Sequence, residues 1–451
     1  MIKKNDLYTL TIESVSNEGN GIGHLEGMVV FVPYTAVGDI VKVKIIKIKK
    51  DYLYARVEGI IVASKTRIKT DCPSYGQCGG CNFRHITYEE ELRLKQEYVT
   101  SVLKRIGNIV CEVKPIVASP YDNHYRNKVQ LPVFNNDDSL STGFFAKRSH
   151  RVVPFMDYCL IDPQSIHEIA YYCCQLLSQF GIDSYNEIDR SGLLRHIVIR
   201  QSSQDDRIML ILVLNGKGFK HEDIFCDKLT EEYKSIESII INENSKNTNV
   251  ILGSNFRTIY GSGYLRDSIS GIKLRISPNS FLQINHDVCE KLYEKIREYI
   301  NADKETILLD LFCGIGSIGL ALARDVKEVI GVEINAMAIE DARYNASLNG
   351  ITNVSFICQD AKEATEGLIV ENTKIDVVVV DPPRKGCDQN TLKSIVTIAP
   401  NRIIMVSCNP ATLARDVSIL RESGYQIEEV SILDMFPRTV HTESVALLIK
   451  R

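Results

Sequence analysis

The apolar run Arg402 to Val406 reads as a buried strand and is followed at once by Ser407-Cys408-Asn409-Pro410. Cys408 therefore falls at the carboxyl end of a strand, on the rim where open α/β sheets bind ligands. Free cysteines are often inert core residues, but a strand-end thiol beside a polar turn has the setting of a nucleophile. Such a thiol does covalent catalysis and needs a partner that moves a proton. Glu443 is the candidate, at the start of the final apolar run Ser444 to Ile449. It follows the turn Phe436-Pro437-Arg438-Thr439-Val440-His441-Thr442, whose His441 competes for the same role.

A second set of thiols has the spacing of ligands. Cys72, Cys78 and Cys81 stand in the pattern C-x5-C-x2-C, with Gly79 and Gly80 letting the backbone fold tightly. Three cysteines leave one ligand missing. Cys159, in Met156-Asp157-Tyr158-Cys159, supplies a fourth, and Cys111, Cys173 and Cys174 compete with it. Four thiolates suit structural zinc and an iron–sulfur cluster alike, and the spacing does not choose between them.

A third group would hold a nucleoside cofactor. Thr306 to Phe312 reads as a buried strand, and Cys313-Gly314-Ile315-Gly316-Ser317-Ile318-Gly319 opens a helix. Glycines at such a bend let the backbone approach a ligand. Glu333 ends the next strand, 19 positions after Gly314, where an acid accepts hydrogen bonds from ribose hydroxyls. Gly314, Gly316 and Gly319 also satisfy the nominal dinucleotide pattern, so the loop alone admits NAD. A third strand ends in Gln359-Asp360, placed to contact an adenine ring, and a fourth, Ile375 to Val380, ends in Asp381-Pro382-Pro383-Arg384 at the mouth of the sheet.

Positioning these groups takes more than one domain. The chain has 451 residues, enough for about two to four domains, and its 44% apolar content can bury full cores. We expect a β-rich region over 1–62, a mixed region over 66–265, and from 266 to 451 apolar runs alternating with helical patterns, the mark of a parallel sheet with crossover helices. A charged helix is predicted over Thr87 to Arg105, with Leu92, Val99, Val102, Leu103 and Ile106 on its apolar face. Net charge is −4, yet Val41 to Thr70 carries nine Lys or Arg and two acids, a local +7 that suits phosphates or a solvated strand face. No apolar run approaches the roughly 18 residues of a membrane span, and Met-Ile-Lys-Lys-Asn-Asp lacks the apolar core of a signal peptide. A cytoplasmic monomer with no membrane partner is expected, and thirteen cysteines in a reducing compartment point to metal binding or catalysis.

Together these residues resemble the uridine-C5 RNA methyltransferases, and within them the 23S ribosomal RNA branch. The resemblance rests on Cys72 through Cys81, Ser277-Pro278-Asn279-Ser280-Phe281-Leu282-Gln283-Ile284-Asn285, Asp310 to Gly316, Asp381 to Gly386, Ser407 to Pro410 and Phe436 to Glu443. The first region resembles a TRAM domain. The implied protein is multidomain: a small TRAM/OB-like β-barrel, a mixed α+β central domain with an iron–sulfur cluster, and a C-terminal α/β Rossmann-like methyltransferase domain. The resemblance implies Cys408 as nucleophile, Glu443 as proton acceptor, and Gln283, Phe312, Glu333 and Asp381 as S-adenosylmethionine contacts, with Asp360 an addition. It implies Cys72, Cys78, Cys81 and Cys159 as ligands of a 4Fe-4S cluster, in a structural or RNA-positioning role. In that family the transfer RNA branch lacks both the barrel and the cluster, so the resemblance implies 23S ribosomal RNA as substrate.

The chemistry explains the thiol. Carbon 5 of uracil is too weak a nucleophile to attack a methyl sulfonium until a thiolate adds to carbon 6, and a base must afterwards remove the carbon 5 proton. Two departures stand out. Ser317 replaces a larger polar residue, and Asp381-Pro382-Pro383 stands where some relatives have Asp-Pro-Ala. An N-methyltransferase would want an aromatic residue where Arg384 stands, a cytosine-C5 enzyme would want a Pro-Cys pair that the chain lacks, and a non-catalytic RNA-binding factor would need no nucleophile.

Overall fold

The computed structural model describes residues 2–137, 139–155 and 158–451. The positions Met156 and Asp157, just before Cys159, lie outside the described residues. Among the described residues, no helix is long and apolar enough to cross a membrane.

Alternation builds the first unit. In the strand Ile40–Ile48, Val41, Val43 and Ile45 are buried and Lys42 is exposed, so one face enters a core and the other carries charge. Six strands form this sheet, in the order Leu7–Thr11, Ile40–Ile48, Tyr52–Val62, Met28–Pro33, Asn20–Leu25 and Ser14–Val15. Their core contains Leu10, Ile12, Val30, Val32, Val41, Val43, Ile45, Leu53 and Ala55.

A seven-stranded mixed sheet forms the middle. Its strand Ile208–Leu214 is buried along its whole length, as a central strand covered on both faces must be. The helices Gln164–Gln179 and Glu222–Glu232 pack on it, and Cys173 and Cys174 are spent in that core.

The last sheet has eight strands. Five run parallel in the order Val354–Cys358, Glu328–Glu333, Ile307–Leu311, Val377–Val380 and Arg402–Ser407. The chain winds outward from Ile307–Leu311 and then returns to its other side, which creates the crevice where such sheets bind ligands. The parallel expectation fails for the final pair. Glu443–Lys450 inserts antiparallel between Arg402–Ser407 and Tyr425–Leu433. Only Asp434 to Thr442 joins those last two strands, too short for the dozen or more residues of a parallel crossover.

The predicted charged helix spans Tyr88–Gly107, capped by Thr87, which accepts from Glu90 N–H. It lies against the helix Pro410–Glu422 of the last sheet, and Glu112–Val113 adds an edge strand beside Tyr425–Leu433. Ile106 is exposed rather than facing the core. Glu91 and Lys95, one helical turn apart, are buried in its place.

Candidate active site

Pairing between Arg402–Ser407 and Glu443–Lys450 runs from Arg402 opposite Ile449 to Ser407 opposite Ser444. Carried one residue further, that register sets Cys408 opposite Glu443. Residues facing each other in an antiparallel pair lie about 4.5–5.5 Å apart at Cα. Glu443 is buried and Cys408 half-buried. A pocket of about 200 Å³ opens over them, lined by Cys408, Asn409, Arg384, His441 and Thr442, among others. Asn409 ties this rim together. Its amide donates to the Arg384 carbonyl at 3.2 Å, and its oxygen caps the helix Pro410–Glu422 by accepting from Ala411 N–H at 3.1 Å. A larger hollow, about 600 Å³, lies on the middle sheet, but Arg195 there is occupied by the carbonyls of Asn244, Lys246 and Thr248.

The electrostatics sort the acids and bases. Burial, and then the Glu443 carboxylate, pushes the Cys408 thiol above its ordinary range, while Arg384 pulls it back. Burial and the neighbouring Asp381 push Glu443 well up, again opposed by Arg384. Burial brings Asp381 to about 6. His441 is pushed down to about 4 by burial and by Arg384, so it is a neutral ring near neutral pH. A raised carboxyl is the stronger base of the two, which favours Glu443 over His441. We expect iodoacetamide alkylation of Cys408, followed by mass spectrometry, to rise with pH with a midpoint above the free-thiol value of about 8.5. A midpoint below it would contradict this electrostatic picture.

The cofactor loop is bent hard. Phe312, one residue past Ile307–Leu311, has φ of 64°, a left-handed conformation uncommon for an aromatic residue, and Gly314 and Gly316 follow at 55° and 78°. Glu333 holds this bend, accepting from Gly314 N–H at 3.2 Å and Asn335 N–H at 2.8 Å. Asp310 accepts from Gly319 N–H at 3.0 Å, and burial raises its carboxyl to about 7. Ser317 bonds Tyr293 through its hydroxyl at 2.7 Å. Gln283 is buried on a segment braced from two sides: Asn127 donates to its carbonyl at 3.1 Å, and Asp341 accepts from Ser277 and Ser280. Asp360 caps the helix Ala361–Val370 at the end of its strand.

The turn before Glu443 is held by groups that patterning did not single out. Lys95 Nζ donates to Glu91 at 2.7 Å, to Asp434 at 2.6 Å and to the Phe436 carbonyl at 3.1 Å. Arg438 N–H donates to Glu91 at 2.7 Å, and the Arg438 guanidinium pairs with Asp122. The cysteine loop joins in, as Asn82 and Phe83 donate backbone N–H groups to the Arg438 carbonyl at 2.8 and 3.2 Å. The usable signal was a Glu and a Lys four apart on the apolar side of a helix. Removing one member of such a buried ion group costs about 3–5 kcal/mol, because the others stay charged and unpaired. We therefore expect Lys95→Met to lower the thermal unfolding midpoint clearly, and an unchanged midpoint would contradict this role.

The four singled-out cysteines gather at one place. Cys78 and Cys81 each sense the charge of Cys72, and Cys159 senses that of Cys81. All four are half-buried free thiols, and Cys159 also meets Asp162 and His167 within 4.8 Å. Arg84, almost fully buried, sits beside Cys81, and Arg126 beside Cys159. The Arg126 Nε finds no hydrogen-bond partner among the described residues. Four thiols flanked by the buried Arg84 and the partly exposed Arg126 fit a group of net negative charge.

An open sheet with a glycine-bent first turn, an acid ending its second strand and a reversal of strand order is a Rossmann-like methyltransferase fold, here behind a small β-barrel. Comparison with known proteins narrows that class. Residues 227–451 match the family model described as tRNA (Uracil-5-)-methyltransferase, and residues 3–57 match the TRAM domain. A curated protein of Halalkalibacterium halodurans, named as an uncharacterized RNA methyltransferase, is 40% identical over 99% of this chain and 98% of its own. One from Clostridium acetobutylicum, named likewise, is also 40% identical, over 99% and 98%. The crystal structure of Pyrococcus abyssi tRNA (uracil-54, C5)-methyltransferase with S-adenosyl-L-homocysteine has a TM-score of 0.77 and 27% identity, over 98% of this chain and all of that one. The chain belongs to the family of RNA uracil-C5 methyltransferases.

Proposed function

We propose that the chain transfers a methyl group from S-adenosylmethionine to carbon 5 of a uridine in 23S ribosomal RNA, with Cys408 as nucleophile and Glu443 as base. The observation that carries this is the closeness of Glu443 and Arg384 to the Cys408 thiol, whose charge they shift, where the strands Arg402–Ser407 and Glu443–Lys450 end their pairing. The Cys408 thiolate adds to carbon 6 of uracil, and the electron pair moves through carbon 5 to the carbon 4 oxygen. Arg384, close to the side chains of both Cys408 and Glu443, is the proposed stabiliser of that developing oxyanion. Carbon 5 then attacks the methyl group, and S-adenosylhomocysteine leaves. Glu443 takes the carbon 5 proton, the carbon 5–carbon 6 double bond re-forms, and the thiolate departs. Gln283, Phe312, Glu333, Asp360 and Asp381 are the proposed contacts of the cofactor along the sheet rim. Base pairing hides this face of uracil, so the target lies in a loop or is flipped out.

Cys72, Cys78, Cys81 and Cys159 are the proposed ligands of a 4Fe-4S cluster, and the neighbouring Arg84 and Arg126 suit its charge. Such a cluster would cross-link the cysteine loop and the segment at Cys159. The reaction above transfers no electron.

The barrel does not by itself separate the two RNA classes, because the Pyrococcus abyssi transfer RNA enzyme matches this chain along 98% of its length. That match favours a second reading, methylation of a transfer RNA uridine. The choice of ribosomal RNA rests on the motif set. Mapping 5-methyluridine in both RNAs from a strain lacking the gene decides it. The proposal expects loss from 23S ribosomal RNA alone, and loss from transfer RNA alone would replace it with the second reading.

A further inference from the structure

The pocket over Cys408 is not built by the methyltransferase domain alone. Two of its lining residues come from elsewhere: Asn17, in the turn between the second and third strands of the barrel, and Tyr98, on the helix Tyr88–Gly107. We propose that Asn17 and Tyr98 contact the target nucleotide, Tyr98 as a stacking platform and Asn17 as a hydrogen-bonding reader of its edge. This rests on the assignment of Cys408 as the nucleophile.

The turn that carries Asn17 is fixed in place. Gly19 N–H donates to the Ser16 carbonyl at 2.9 Å, and the Ser16 hydroxyl accepts from Glu18 and Asn20 N–H. Asn82 of the cysteine loop donates its amide to the Glu18 carbonyl at 3.2 Å, and Arg148 clamps the Glu18 carboxylate at 2.5 and 2.6 Å. Gly19 has φ of 76°, and a Cβ there would stand 3.0 Å from both Asn82 and Val440. The barrel thus approaches the catalytic turn as closely as glycine permits. Such contacts are more than a tether needs. They hold Asn17 exposed, with its amide free to meet a substrate, at the mouth of the nucleophile's pocket.

The chemistry of the rim matches a pyrimidine. A ring at Tyr98 offers a π-face that any base can stack on. A carboxamide presents a donor and an acceptor side by side, as uracil does at N3–H and O4. Thr442 adds an independent sign. It lines the same pocket, is buried, and its hydroxyl finds no partner among the described residues. Buried hydroxyls are nearly always satisfied, so a substrate atom is the missing partner.

Uridine with fluorine at carbon 5 is the probe, because fluorine cannot be removed as a proton and the covalent adduct persists. Full-length protein, S-adenosylmethionine and 5-fluorouridine-substituted 23S and transfer RNA transcripts are mixed, and adduct formation is timed on denaturing gels. Tyr98→Ala is expected to slow adduct formation at subsaturating RNA by about 5- to 150-fold, the range measured for lost base stacking. Tyr98→Phe, which keeps the ring, is expected to match the unaltered protein. Asn17→Ala is expected to lose about 2- to 12-fold, the worth of one hydrogen bond. Its salt dependence should be unchanged, since a neutral amide displaces no counterion, whereas Lys42→Ala should flatten the salt slope. S-adenosylmethionine affinity, measured by calorimetry, should be unaltered in every variant. Wild-type rates for both Tyr98→Ala and Asn17→Ala would overturn the proposal, as would a matching loss of cofactor affinity, which would mark packing alone. An adduct formed by Cys408→Ala would instead overturn the assignment of the nucleophile.

Discussion

Cys408→Ala is expected to abolish methyl transfer while leaving cofactor binding intact. Removing a nucleophile that acts together with its base costs on the order of 10⁶-fold in kcat for the best-measured case, and roughly 10⁴-fold or more is expected here. The reason lies in the substrate. Without the carbon 6 adduct, carbon 5 has no electron density to offer the methyl group. The alternative for this thiol was a structural one, and the fold argues against it. The buried cysteines Cys173, Cys174 and Cys289 sit inside helices facing cores, whereas Cys408 sits past the end of its strand in an open pocket. Incorporation of labelled methyl groups into RNA checks this. Retained transfer would leave the protein an RNA methyltransferase by family but not by this mechanism.

Glu443→Gln is expected to give the opposite phenotype, an enzyme that starts the reaction and stalls. In the proposed mechanism, addition and methylation need only Cys408, Arg384 and the cofactor. Release needs a base for the carbon 5 proton, and glutamine is none. A slow-migrating protein–RNA species should therefore accumulate on a denaturing gel with unmodified RNA. In the unaltered enzyme, release of a preformed adduct should slow as pH falls. Burial and Asp381 hold the Glu443 proton well above the usual carboxylate range, so acid fills the base before it could act. Release slows as pH falls through that raised value and recovers above it. Absence of the species in Glu443→Gln would move the role of base to another group, and His441 is the neighbour that lines the pocket.

Much of this site was legible in the sequence because strand ends are legible. Apolar runs bounded by polar turns marked Ile307–Leu311, Val377–Val380 and Arg402–Ser407, and the rim of a parallel sheet then placed Glu333, Asp381 and Cys408 together. The pairing of Cys408 with Glu443 was not legible in the same way. It depends on the last strand turning antiparallel, and periodicity is blind to strand direction. The long-range groups were hidden for a related reason. Glu91 and Lys95 lie more than three hundred residues of chain before Asp434 and Arg438 and meet them only in the folded state. On the helix taken alone, Glu91 and Lys95 fall on the apolar side, but nothing there names their partners. Only burial shows that they anchor the catalytic turn.

The same holds for the boundaries between parts. Patterning assigns 1–62, 66–265 and 266–451 to three regions, yet side chains cross between them throughout. Asn82 reaches the barrel turn, Tyr88 bonds Asp434 at 2.7 Å, and Tyr125 bonds the Pro437 carbonyl at 3.0 Å. The cysteine loop touches the catalytic turn directly through Asn82 and Phe83. Loss of the proposed cluster at Cys72, Cys78, Cys81 and Cys159 is therefore expected to lower activity through the turn. Chelation of iron should reduce kcat before it reduces affinity for S-adenosylmethionine, and a cofactor affinity that falls first would contradict that route.

The central claim is a bond between one sulfur and one carbon. Mass spectrometry of the adduct formed with 5-fluorouridine-substituted RNA reads it directly. The expected result is a peptide carrying Cys408 linked to a methylated 5-fluorouridine. An adduct on any other residue, or none at all with either RNA, would contradict it.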